Sequence, residues 1–104
     1  MTIQFNTDKN LTLHDDFNNK LSIHLSEKLN RFTEHITRLE VHLSDENGHK
    51  NGQNDKKCLL EARVEGKPPV VVSAAAQNYE LAVDAAVTKL KSSLDTIFGR
   101  MQNH

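Results

Sequence analysis

Two hydrophobic periods alternate along this chain, and their order outlines a fold. Ile3 and Phe5 flank the polar Gln4, as in a short strand with one buried face. Phe17, Leu21, Leu25, Leu29 and Phe32 then recur at steps of four, four, four and three. That spacing puts them on one stripe of an amphipathic helix over roughly residues 13–32. Thr12 stands where its N-cap belongs, with Asp15 as a weak capping-box partner. Next the period falls to two: Leu39, Val41 and Leu43 alternate with Arg38, Glu40 and His42, a half-buried strand. Asp45 to Asn54 carries Asn47-Gly48 and Asn51-Gly52 and no apolar residue, which predicts a loop. Alternation returns at Cys58, Leu60, Ala62 and Val64, with Glu61 and Arg63 facing the other way. After the turn Glu65-Gly66-Lys67-Pro68-Pro69 comes Val70 to Ala76, the strand most apolar on both faces. Pro69 suits only the beginning or edge of a strand.

The last element has the clearest pattern. Tyr79, Ala82, Val83, Ala86, Val87, Leu90, Leu94 and Ile97 follow helical spacing, with Asn78 as N-cap and Gly99 as C-cap glycine. Short turns between the last three strands predict an antiparallel meander. Two helices, each apolar on one face, need a shared sheet face to cover. The expected fold is α+β: a two-layer β-α-β-β-β-α sandwich, a four-stranded sheet with two helices packed on one face. Residues 1–104 are expected to form one domain.

Composition narrows the function classes. Hydrophobic residues at 37% and charged residues at 26% are ordinary for a soluble globular domain, and no run approaches the roughly 20 apolar residues of a membrane span. The N-terminus has no basic segment leading into an apolar one, so no signal peptide is expected. Cys58 is the single cysteine and points to no oxidising compartment, which leaves the cytoplasm as the expected location. Thirteen basic and 14 acidic residues give a formal charge of −1. Phosphate binding therefore needs a local concentration of cations.

The segment Ala76-Gln77-Asn78-Tyr79-Glu80-Leu81-Ala82-Val83-Asp84-Ala85-Ala86-Val87-Thr88-Lys89-Leu90 resembles the second helix of the ribosome hibernation-promoting factors (ribosome-associated inhibitor A family). Val41-His42-Leu43-Ser44-Asp45-Glu46-Asn47-Gly48 and Cys58-Leu59-Leu60-Glu61-Ala62-Arg63 are similar to a short branch of that family. The resemblance covers nearly the whole chain. It implies a cytoplasmic protein that binds the small ribosomal subunit, contacts its rRNA through basic helix faces and silences translation in stress. It also implies the short form, without the C-terminal dimerising domain of longer members. By position, Lys28, Arg31, Lys89 and Arg100 match basic positions of the family, whereas Ser92 and Thr96 stand where better-known members are often basic.

If the two helices lie side by side, Lys20, Lys28, Arg31, Lys89, Lys91 and Arg100 would converge as an RNA-binding set. The plain alternative is a solvated helix surface interrupted by Glu27, Asp84 and Asp95. No other constellation competes. His14, His24, His35, His42, His49 and His104 form no HxH or HxxxH pair, and the loop between His42 and His49 lacks the spacing of a calcium site. No cofactor, metal or small-molecule substrate is therefore expected. Cys58 shares a strand face with Leu60 and Ala62, the place of a buried structural thiol. Glu40 and Glu61 fall on the open sheet face beside Arg38 and Arg63, so ion pairing is the ordinary outcome and catalysis is not expected. That face, lined by Gln4, Arg38, Glu40, His42, Glu61, Arg63, Val71 and Ser73, stays wet or supports a homodimer. Two functions follow: a ribosome-associated translation regulator, or a protein-interaction module with the same fold that has lost rRNA affinity.

Overall fold

The computed structural model describes residues 1–7, 15–45 and 55–102. Four strands, β1 (Thr2–Thr7), β2 (Ile36–Asp45), β3 (Lys56–Val64) and β4 (Val70–Ala76), form one sheet in the order β1-β2-β3-β4. β2, β3 and β4 pair antiparallel, and β1 lies parallel to β2, so the sheet is mixed. Helices α1 (Asp15–Lys28) and α2 (Tyr79–Gln102) complete the α+β arrangement that the hydrophobic pattern predicts.

Alternation decides which face is dry. Leu39, Val41, Leu43, Cys58, Leu60, Ala62 and Val64 point to the helices and are buried. Ile3, Phe5, Val70, Val72, Ala74 and Ala76 extend that face towards both edges. From above come Leu21, Leu25 and Leu29, then Ala82, Val83, Ala86, Val87, Leu90 and Leu94. Most of these side chains lose all contact with water, and each large one contributes on the order of 1.5–3 kcal/mol on burial.

The ends of the helices differ from the sequence expectation in two places. The first helix ends as an α-helix at Lys28, and Asn30–Phe32 continues as one 3-10 turn. That tighter turn lets Leu29 and Phe32 both stay buried while the chain swings into β2. The Thr12 cap and the helix start at residue 13 lie outside the described residues. Gly99 is not a C-cap: α2 runs on to Gln102, and the positive backbone φ belongs to Gly66 instead. Phe98 explains the continuation, because it is buried against Phe32 at 6.1 Å and stacks on His35 at 4.2 Å, anchoring the final turns. Asn78 caps α2 as expected, its Oδ1 accepting from the Leu81 amide at 2.8 Å. Gly66, at φ 74°, lets the β3–β4 turn close with the Lys67 amide donating to the Val64 carbonyl at 3.1 Å.

Candidate nucleic-acid interface

Both helices cross the sheet in the same direction, and their facing edges are joined by charge. Lys20 of α1 meets Glu80 of α2 at 3.1 Å. One turn further His24 meets Asp84, and beyond the end of α1 Arg31 meets Asp95. The first two pairs are each separated by 60 residues because a step of four on α1 matches a step of four on α2, whereas the third, beyond the end of α1, is separated by 64. Between the second and third rungs the ladder opens. His24, Lys28, Asp84, Val87, Thr88 and Lys91 line a cleft there of about 330 Å³. Lys28 is exposed and Lys91 half-buried, and among the described residues neither is held by a carboxylate. They are the two available cations of the seam.

Lys20, Lys28, Arg31 and Lys91 are thus brought together along one groove. Lys89 is not: it leaves α2 on the opposite flank and donates to the Ser73 carbonyl at 2.8 Å. Arg100 lies near the end of α2, and its side chain is outside the described residues. Sequence reading missed the carboxylates' partners, although steps of four in Glu80, Asp84 and Thr88 against Lys20, His24 and Lys28 carry the signal. Four cations in the groove face Glu27, Glu80, Asp84 and Asp95, so the seam is close to neutral.

A family model described as sigma 54 modulation protein / S30EA ribosomal protein matches residues 6–102, nearly the whole chain. The chain belongs to this family. The hibernation-factor resemblance carried by α2 and by the β2 and β3 segments is therefore borne out. Among solved structures, the N-terminal domain of Thermus thermophilus Protein Y matches with a TM-score of 0.71 at 20% identity, covering 93% of this chain and 99% of that one. A ribosomal subunit interface protein from Coxiella burnetii gives 0.70 at 17% identity, covering 95% and 99%. At those identities the likeness is one of fold. No curated protein matches.

On the other side of the sheet this S30EA-family chain carries a second charged cluster. Glu40 sits at its centre, facing Arg38 at 3.2 Å, Arg63 at 3.3 Å and His42 at 3.8 Å, with Asn6 donating at 3.4 Å. Burial pushes the Glu40 carboxyl up, but the Arg63 hydrogen bond and the charges of Arg38, Arg63 and His42 outweigh it, leaving the group below its ordinary range. Register accounts for the cluster, since Glu40 opposes Gln4 on one side and Glu61 on the other, with Arg63 beside Arg38. Glu61 is itself paired with Arg63 at 3.1 Å. The arrangement is a network of ion pairs, as the sequence predicts, in which each charge faces an opposite one while, among the described residues, Arg38 Nε is buried without a hydrogen-bond partner. Cys58 is fully buried and its thiol is pushed up to about 12 by burial, so it is no nucleophile at neutral pH. Among the described residues no cluster of histidine, cysteine and carboxylate groups has the makings of a metal site, and no helix is long and apolar enough to cross a membrane. His14, His49 and the loop expected around His49 lie outside the described residues.

Proposed function

We propose that this chain is a cytoplasmic, ribosome-associated translation regulator that contacts small-subunit rRNA through the α1–α2 seam in stress or stationary phase. Family membership across residues 6–102 supports the ribosomal part of this reading. The observation that carries the RNA part is the cleft holding Lys28 and Lys91 between the helices. Two ammonium groups, one from each helix and neither paired with a carboxylate among the described residues, can attract a phosphate into this cleft and fix its position without reading bases. Lys20 and Arg31 flank it. Their ion pairs are more than half exposed on both partners, and such pairs are worth about 0–1 kcal/mol, so exchange of a carboxylate for a phosphate costs little. Lys89 stands outside the seam and takes a smaller share, and Arg100 remains a member of the expected set. No chemical step belongs to this function.

Sedimentation of stationary-phase extract through a sucrose gradient at low salt tests it. The protein is expected in the small-subunit and whole-ribosome fractions. Finding it only at the top, with ribosomes in excess, would sink the proposal.

The near-neutral seam favours a second reading, a protein-interaction module of the same fold without rRNA affinity. The ladder of ion pairs already neutralises much of the charge an RNA ligand would seek. Recovery of one stoichiometric protein partner from ribosome-depleted lysate, together with absence from ribosomal fractions, would select it.

A further inference from the structure

Among the described residues the sheet ends at β4, so the backbone groups that β4 turns away from β3 meet no further strand there. Lys89 reaches across from α2 to this rim and gives its ammonium to the Ser73 carbonyl at 2.8 Å. In a strand the N–H and C=O of one residue point to the same side, so the Ser73 amide also faces outward. Ser73 is the midpoint of the seven-residue strand Val70–Ala76. The strand itself, VVVSAAA, holds no charge and no proline, the devices that ordinarily blunt an exposed rim. Val71 is 53% exposed and Ala75 is exposed too, leaving apolar side chains beside the free backbone.

A second copy of the chain, brought up antiparallel about Ser73, would match this rim along its whole length. Position 70 would oppose 76, 71 would oppose 75, 72 would oppose 74, and Ser73 would face its own counterpart. The contact would be isologous, with a two-fold axis through the strand midpoint. Side chains on both faces of β4 are small or β-branched, so they leave room for such pairing and suit it. No charge on the strand selects a foreign sequence over its own. Lys89 sits at the pivot of this arrangement. Pairing would strip its carbonyl partner and bring two ammonium groups to one axis, where like charges repel.

We propose that β4 is a latent self-pairing edge whose occupant is a second copy of this chain, and that Lys89 holds it closed. The lysine therefore acts as an edge guard, and the role is independent of whether the seam takes RNA. Closing a sheet rim with one side chain from an adjacent helix keeps the strand apolar enough for its buried face while denying it to a neighbour.

Sedimentation velocity on the full chain over a concentration series tests this. The natural chain and Lys89→Arg, which keeps the charge and donor, are expected to stay monomeric. Lys89→Met, which keeps the stem and loses both, is expected to double its sedimented mass. Ser73→Pro removes the outward amide without touching the bonds to β3, so adding it to Lys89→Met is expected to restore the monomer. Circular dichroism on each variant confirms that the fold is retained. A Lys89→Met chain that stays monomeric at about 1 mM (a ~4 kcal/mol affinity limit) overturns the proposal. So does self-association that persists in the Ser73→Pro double variant, and so does a monomeric Lys89→Met chain that instead takes up an unrelated alternating Thr-Val peptide.

Discussion

Lys89 and Lys91 stand two residues apart on α2 and leave it on opposite flanks, one towards the Ser73 carbonyl and one into the cleft shared with Lys28. A helix turns about 100° per residue, so two steps carry a side chain roughly 200° around the axis. Equal charge and near-identical sequence position therefore give the two lysines unrelated surroundings.

Their contributions to RNA binding are expected to differ accordingly. Replacing Lys28 or Lys91 by alanine should weaken binding to small-subunit rRNA several-fold, and the double variant should abolish it, whereas Lys89→Ala should have little effect. Filter binding over a salt series reads both the affinity and the number of phosphates. With Lys28 and Lys91 engaged alone, the slope of log K against log salt is expected at about −1.4 to −1.8, steepening towards about −2.8 to −3.6 when Lys20 and Arg31 also exchange their carboxylates for phosphates. A slope near zero would mean that phosphates are not the ligand.

Removing a seam carboxylate should act in the opposite direction. Asp95→Asn frees Arg31, and Glu80→Gln frees Lys20, each raising the local positive charge by one. Tighter rRNA binding is expected in both variants. Thermal stability should fall by less than about 1 kcal/mol, since the pairs are exposed. Loss of binding would show that the ladder positions the helices instead of competing with RNA.

Acid sensitivity should track Glu40. The carboxyl is held below its ordinary value of 4.5 in the fold, so the network stabilises the protein above that pH and loses its effect as pH falls through the lower, folded value. Glu40→Gln should therefore lower the melting temperature at pH 7 and flatten its decline below pH 4.5. Arg38, Arg63 and His42 face the group from its own strand and from β3, with Asn6 from β1. Melting curves that remain parallel for both proteins from pH 7 to pH 3 would remove Glu40 as the cause.

Cys58 should be silent until the chain unfolds. With its thiol pushed up to about 12 by burial, iodoacetamide at pH 8 is expected to label it only in denaturant. The same shift has a stability consequence of fixed sign. Between the unfolded thiol value near 9 and about 12, the unfolded chain loses a proton that the folded one keeps, so stability should decline as pH rises through that range. Prompt labelling of native protein, at a rate independent of denaturant, would contradict the buried placement.

Most of the fold was legible because each element obeys one period throughout. The alternation of Leu39, Val41 and Leu43 against Arg38, Glu40 and His42 predicts both the buried face of β2 and the charged cluster behind it, and the register bears out each pairing. Asn78 was readable as a cap because its side chain acts on its own helix. Gly99 was misread because a buried aromatic at Phe98, packed on residues far earlier in the chain, overrides the local tendency of glycine to end a helix. The candidate site was legible only as a set of cations. What each lysine faces depends on the packing of two helices and on where the sheet stops. Lys89 lines up with Lys91 in the sequence and is separated from it by the helical turn alone.

The parallel setting of β1 makes its pairing with β2 a long-range one, across the whole of α1. Strands β2, β3 and β4 with α2 follow one another along the chain and pair with their neighbours in sequence, while β1 meets β2 only across the intervening α1. None of the six β1 side chains is fully buried. An edge strand without a fully buried side chain is held the least firmly, and amide exchange should be fast along that margin.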